Sequence, residues 1–87
     1  MQLYKIFFVV ADSETLEIYS EFYYKQGAAS RDRNTLMKAY SGKKRFIVGK
    51  VVWDLKDNRI SSSEPAGIKL KAGTAHATTT PRFVAGE

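Results

Sequence analysis

Residues 3–10 form an apolar stretch, LYKIFFVV, in which both alternating sets of side chains are mostly hydrophobic. Most of these residues are β-branched or aromatic, which is the composition that β-strands favour. A strand with apolar side chains on both faces is typical of the interior of a sheet that is covered on each side. We therefore expect a central strand here. One face would carry Tyr4, Ile6, Phe8 and Val10, and the other Leu3, Lys5, Phe7 and Val9.

Residues 16–25 alternate between apolar and polar side chains, which predicts a second strand with one buried face. Turn-forming residues at 11–15 separate the two strands, so an antiparallel hairpin is expected. The buried set would be Leu16, Ile18, Phe22 and Tyr24, with Ser20 among them.

The next segment predicts a helix of about three turns over residues 31–41. Ser30 can cap its N-terminus, and Asp32 lies in the first turn, where the helix dipole favours a carboxylate. Gly42 is well placed to end the helix in a left-handed conformation. The apolar stripe of this helix is Leu36, Met37 and Tyr40. A loop with a single helical turn is the alternative, because isolated helices this short are marginal.

Residues 44–55 return to strand composition, and Gly49 within them suggests a bulge, a bend or a close approach of another part of the chain. Residues 56–59 read as a turn, in which Asn58 tolerates a positive φ. Residues 60–63 and 68–71 are candidate short strands. We expect one shared core made of Phe8, Phe22, Leu36 and Trp53.

The chain has 87 residues, which is the length of one domain. The order of elements predicts a small α+β fold: a mostly antiparallel sheet built from a β-hairpin and further strands, with one helix packed on one face. Residues 1–71 would form this domain. Residues 72–87, rich in Ala, Thr and Gly, would form a flexible C-terminal tail.

Cysteine is absent, so disulfides, thiolate nucleophiles and Cys-ligated metals are excluded. Small secreted domains commonly rely on disulfides, and their absence favours a reducing, cytoplasmic location. The apolar stretch at 3–11 is shorter than the roughly 20 residues that span a bilayer, so no membrane association is expected. It also lacks the basic start and the cleavage site of a signal peptide.

Catalytic and cofactor motifs are not evident. The single histidine, His76, falls in the predicted tail, and one His without Cys supports no common zinc site. The six glycines are too scattered for a phosphate-binding or dinucleotide-binding loop. We therefore expect a non-enzymatic protein with no metal and no cofactor.

Basic residues are concentrated in the middle of the chain, where residues 27–59 carry nine basic and three acidic side chains. Lys and Arg near aromatic side chains such as Phe46 and Trp53 are typical of surfaces that bind nucleic acid. The first hypothesis is a small binding protein that engages nucleic acid or a nucleoprotein complex. Its compact format is common among phage and mobile-element regulators and inhibitors. The candidate residues are Arg31, Arg33, Lys43, Lys44, Arg45 and Lys50.

Two alternatives stay open. The first is a protein–protein inhibitor or adaptor that binds through an open sheet edge or through the polar face of residues 16–25, because Tyr is enriched at interfaces. The residues of that face are Glu17, Tyr19, Glu21 and Tyr23. The second is that the basic residues are ordinary surface charge, with Phe46 and Trp53 in the core. The oligomeric state is left open.

Overall fold

A computed structural model describes residues 3–70 and 83–84. It contains five strands and one helix in these residues. In chain order they are β1 (Tyr4–Asp12), β2 (Phe22–Tyr23), α1 (Gln26–Ala39), β3 (Phe46–Asp54), β4 (Arg59–Glu64) and β5 (Phe83–Val84). The strands form one sheet in the order β4-β3-β1-β2-β5. Every pair of neighbours is antiparallel except β2 and β5, so the predicted α+β fold is confirmed.

The centre of the sheet is the long pairing of β1 with β3, which runs in register from Tyr4 opposite Asp54 to Asp12 opposite Phe46. The chain reaches β3 only after passing through β2 and α1. The hairpin of β1 with residues 16–25 forms as expected, but it is short. β2 has two residues, and Ala11 makes one further bridge to Ile18.

The core consists of two clusters, one on each face of the sheet. Because side chains alternate along a strand, neighbouring residues of β1 belong to different clusters. The expectation of one shared core was therefore wrong. Phe22 and Trp53 lie together on one face, which we call the lower face, whereas Phe8 and Leu36 lie on the face that α1 covers, the upper face.

Helix α1 begins five residues earlier than predicted, at Gln26, so Ser30 and Asp32 lie inside it rather than at its start. The sequence pattern did not indicate the first turns of the helix, because the buried residues there, Ala28 and Ala29, are small and make no apolar stripe. The helix ends at Ala39, two residues before the predicted end, and the predicted left-handed glycine follows it. The chain leaves the helix through Gly42, whose φ is +74°.

Two predicted backbone features lie in β3 and in the turn that follows it. Asn58 has a φ of +58° in the β3–β4 turn, as expected. A Cβ at Gly49 would overlap the Cδ1 atom of Ile68, so this glycine permits a close approach. The irregularity of the ladder lies instead between Val52 and Trp53, where the pairing with β4 shifts register.

Residues 66–70 cross the lower face rather than forming the predicted edge strand. Ile68 is buried against the lower cluster, and Lys69 makes only a single parallel bridge to Glu17. Of the segment predicted as a flexible tail, Phe83 and Val84 pair with β2. The other residues of that segment, including His76, lie outside the described residues.

The expectation that β1 is covered on both faces holds only for its second half. From Phe7 onward the strand is buried or half-buried, but Tyr4 and Ile6 keep 48% and 52% of their surface exposed. The cause is the position of α1. On this face its cluster includes Phe8 and Val10 of β1 and neither Tyr4 nor Ile6.

Candidate binding surfaces

Of the six basic residues proposed from the sequence, Arg33, Lys50 and Lys44 make contacts of known geometry, and Arg31 is engaged as well. Arg33 donates from Nε to the carbonyl oxygen of Phe46 at 2.7 Å, which ties α1 to the start of β3. Lys50 lies 3.8 Å from Glu64 on the neighbouring strand. Both side chains therefore have a partner within the protein, whereas the sequence alone assigned them to nucleic acid.

Lys44 is the third of these residues. Its Nζ donates to Oδ2 of Asp12 at 3.1 Å and lies 5.6 Å from the centre of the Tyr19 ring. Asp12 is only 4% exposed, and its Oδ1 accepts from the backbone N–H groups of Glu14 and Thr15. The hydrogen bond from Glu14, together with those from Lys44 and Thr15, holds the pKa of Asp12 below its usual value against the opposing effect of burial.

The remaining three, Arg31, Lys43 and Arg45, are exposed. Lys43 and Arg45 lie at the end of α1. The backbone N–H of Lys43 donates to Tyr40, and the carbonyl of Arg45 accepts from Ser13. Lys38, in the last turn of the helix, is exposed beside them. We call Lys38, Lys43 and Arg45 the basic end. Among the described residues, their side chains make no ion pair.

The aromatic side chains do not accompany this charge at the surface. Phe46 and Trp53 are both buried, so the interpretation of these two residues as core is confirmed. Tyr40, near the basic end, is half-buried against Phe46 with ring centres 5.4 Å apart. Base stacking on these rings would therefore require the core to open.

The tyrosine face of residues 16–25 is not an exposed stripe. Tyr19 packs against Phe46 at 5.2 Å between ring centres, and the hydroxyl of Tyr23 donates to Oδ2 of Asp32 on α1 at 2.8 Å. Desolvation, and then this carboxylate, raise the pKa of Tyr23 to about 12. Helix α1 covers the face of the sheet that carries Tyr19 and Tyr23, so these side chains pack against it.

The two glutamates proposed with these tyrosines, Glu17 and Glu21, are both half-buried. Glu17 is engaged through its backbone, which accepts from Asp12 N–H at 2.9 Å, and its Oε1 accepts from the Thr15 hydroxyl at 3.4 Å. Tyr19 and Tyr23 therefore belong to the packing of the upper face, and the two glutamates beside them are only partly exposed.

Sequence reasoning missed a different surface, where the upper face lies uncovered. Ile6 is directly opposite Val52 on β3, and Tyr4 is opposite Asp54. Side chains of directly opposed residues share a face, so Tyr4, Ile6 and Val52 form a continuous surface that we call the open apolar patch. No local signal marks it, because it is the position of α1 that leaves it uncovered.

A shallow cavity of about 600 Å³ lies between β4 and residues 66–70. Its walls combine apolar side chains such as Ile60 and Leu70 with serine residues, and Lys69 is the ionisable residue that lines it. General acid–base catalysis needs a positioned titratable group with a suitable pKa and a partner. None of the lining residues that the structure describes supplies such a pair.

Within the part of the chain that the structure describes, no three His, Asp or Glu side chains come together as a metal-binding group. No helix there combines the length and the apolarity that crossing a bilayer requires.

Comparison with protein family models, curated proteins and solved structures found no match for this chain.

Proposed function

We propose that this protein is a binding module that acts without catalysis, and that an apolar surface of a partner protein docks on the open apolar patch. The observation that supports the proposal is the 52% exposure of Ile6, which lies on the central strand of the sheet. Large apolar side chains on a central strand are normally covered, and uncovered apolar patches mark interaction sites.

Charge favours a protein over a nucleic acid at this patch. The nearby cation of Lys50 lies 3.8 Å from Glu64. The carboxylate of Asp54 accepts from the backbone N–H groups of Lys56 and Asp57. A phosphate backbone requires an excess of Lys and Arg, whereas the described residues around the patch carry balanced charge. An apolar protein surface with a polar rim fits this arrangement.

The side chains of the patch also suit an interface centre. Tyr4 offers a large contact area at low entropic cost, and full burial of a side chain such as Ile6 contributes about 1.5–3 kcal/mol. A micromolar complex needs about 8 kcal/mol. Polar contacts around the patch must therefore add to its apolar burial.

The test uses wild-type protein, Tyr4→Asp and Ile6→Asp as baits in a nuclease-treated lysate, followed by calorimetric titration of the purified partner. Both residues are about half exposed, so both variants are expected to fold, which circular dichroism checks. We expect both to lose the partner. The matched control, Thr35→Asp on the exposed side of α1, should keep it. A partner that both folded variants retain would contradict the proposal.

Nucleic acid is the second candidate partner, and the basic end supports it. Lys43 and Arg45 are exposed, and each is close in sequence to Lys44, whose charge is balanced by Asp12. Two exposed cations near the end of a helix also complement its dipole, which is the structural alternative for them. Phosphate binding gives a salt-dependent affinity for an oligonucleotide, whereas stabilisation of the helix dipole requires no ligand.

A salt-titrated anisotropy series with single- and double-stranded oligonucleotides distinguishes these roles. If phosphates bind at the basic end, Lys43→Ala/Arg45→Ala should reduce the slope of log affinity against log salt by about 0.9 per lost duplex contact, or about 0.7 for single strands. Thr35→Ala serves as the control. Absence of wild-type binding at about 50 mM salt would exclude this candidate.

A further inference from the structure

Strand β4 forms one edge of the sheet, with β3 on its inner side. None of the described residues pairs with it on its outer side. The opposite edge is β5, which has only two residues, whereas β4 has six. An edge strand leaves half of its backbone N–H and C=O groups unpaired, and these can bind another strand. Within residues 3–70 and 83–84, the longer free edge of the sheet is therefore β4.

The interior of β4 carries none of the charged or proline residues that commonly block such pairing. Natural edge strands often carry Lys or Pro in their interior, but the four inner residues, Ile60 to Ser63, are uncharged. The charges lie at the two ends of the strand, with Arg59 at the start and Glu64 at the finish. Both of these residues are exposed.

We propose that β4 is a self-association edge, which pairs antiparallel with β4 of a second copy about a two-fold axis normal to the sheet. In such a pair, Arg59 of one copy lies opposite Glu64 of the other, and the same contact occurs twice by symmetry. Oppositely charged residues directly across an antiparallel pair are favourable. The strand is thus complementary to itself in charge.

The register shift in β4 makes this pairing possible. A two-fold axis normal to the sheet requires opposed residues to share a face, yet residues five apart in a regular strand face opposite sides. Here Arg59 pairs with Asp54 and Glu64 pairs with Lys50, and the shift lies between these two pairs. Asp54 and Lys50 are four apart on β3 and share a face. Arg59 and Glu64 therefore share that face too.

The present partners of these two residues do not prevent the exchange. Arg59 lies 3.8 Å from Asp57, and Glu64 lies 3.8 Å from Lys50. Pairs this long and this exposed contribute little to stability. Replacing them with contacts across the two-fold axis would therefore cost little.

The dimer would have a consequence for the open apolar patch, although the pairing does not depend on the proposed docking there. Val52 of the patch is opposite Ser62 of β4. Because the axis is normal to the sheet, it keeps the upper faces of both copies on the same side. Two patches would then lie on one continuous sheet, separated by the paired β4 strands.

The test is sedimentation of the full chain over a range of concentrations. Pairing of six-residue strands buries less surface than a stable interface needs, so we expect a dimer with a Kd between about 1 µM and 1 mM. Arg59→Glu and Glu64→Arg each place like charges opposite each other twice. Each should weaken the dimer by roughly tenfold or more.

The double variant Arg59→Glu/Glu64→Arg restores opposite charges and should dimerise within about threefold of the wild type. Circular dichroism melts confirm that all variants fold, and the monomeric fold should persist because both side chains are exposed. A wild-type chain that stays monomeric at about 1 mM would overturn the proposal. A dimer that neither single variant weakens, or that the double variant fails to restore, would also overturn it.

Discussion

Asp12, the last residue of β1, lies 3.1 Å through its Oδ2 atom from the Nζ of Lys44, 32 residues later in the chain. The carboxylate also accepts two backbone N–H groups of the turn that follows it. One nearly buried side chain thus fixes the turn after β1 and the entry into β3. This arrangement makes the stability of the fold dependent on pH.

We expect acid to weaken the fold through Asp12. Its pKa is lowered in the folded state, so its stabilising effect is complete above the unfolded value of about 3.9 and is lost as the pH falls through the folded pKa. Asp12→Asn should cost about 1–3 kcal/mol at neutral pH. Its Tm should then fall less than that of the wild type between about pH 6 and pH 3.

Thermal unfolding followed by circular dichroism at a series of pH values measures this difference. Glu14→Gln is the control, because the Glu14 side chain is exposed and only its backbone N–H contacts Asp12. If the Tm of the wild type and that of Asp12→Asn fall in parallel with pH, another group controls the loss of stability in acid.

Tyr23 should titrate late and affect stability at high pH. Its pKa is raised to about 12 by desolvation and by Asp32, so the neutral phenol stabilises the fold fully below about pH 10 and this effect is lost as the pH rises towards 12. Tyr23→Phe should cost about 1 kcal/mol and remove the latest step from an ultraviolet absorbance titration. Tyr4→Phe, at an exposed position, should leave that step in place.

Gly49→Ala should destabilise the protein by about 1–3 kcal/mol, because the new methyl group would overlap Cδ1 of Ile68. Ile68→Val removes that atom and by itself costs about 0.5–1.5 kcal/mol. The double variant should be clearly more stable than the sum of the two single effects predicts. Urea denaturation measures all three, and strict additivity would mean that the crossing segment moves away without cost.

Neighbouring residues of β1 should respond very differently to truncation. Phe7 is fully buried, and Phe7→Ala should cost about 3–5 kcal/mol, which would leave a domain of about 5 kcal/mol with at most about 2 kcal/mol of stability. Ile6 is half exposed, so Ile6→Ala should cost less than about 1 kcal/mol. Melting curves of both variants test this, and similar losses would show that the open apolar patch is covered in solution.

Local sequence patterns predicted the parts of the fold that depend on local chemistry. The strands β1 and β3, which their β-branched and aromatic composition indicated, and the positive φ of Asn58 belong to this group. Helix α1 was only half predicted, because Ala28 and Ala29 pack by being small rather than by being strongly apolar. Such residues give a hydrophobic pattern little amplitude.

The binding residues were harder to predict, because their availability depends on distant partners. No residue near Lys44 in the sequence indicates that Asp12 will be its partner, and none near Tyr23 indicates that the helix will cover this side chain. The face on which a helix packs is decided by the whole sheet. For the same reason, the exposure of Ile6 has no counterpart in its neighbouring residues.

The two-sided core has a consequence for how the strands find their alignment. Sliding β1 by one residue against β3 would exchange Phe7 and Val9 with Phe8 and Val10, and both sets are apolar. Hydrophobicity therefore discriminates poorly between the correct alignment and its nearest competitors. Charge must do so instead. Asp12 reaches Lys44 only when β1 ends opposite the start of β3.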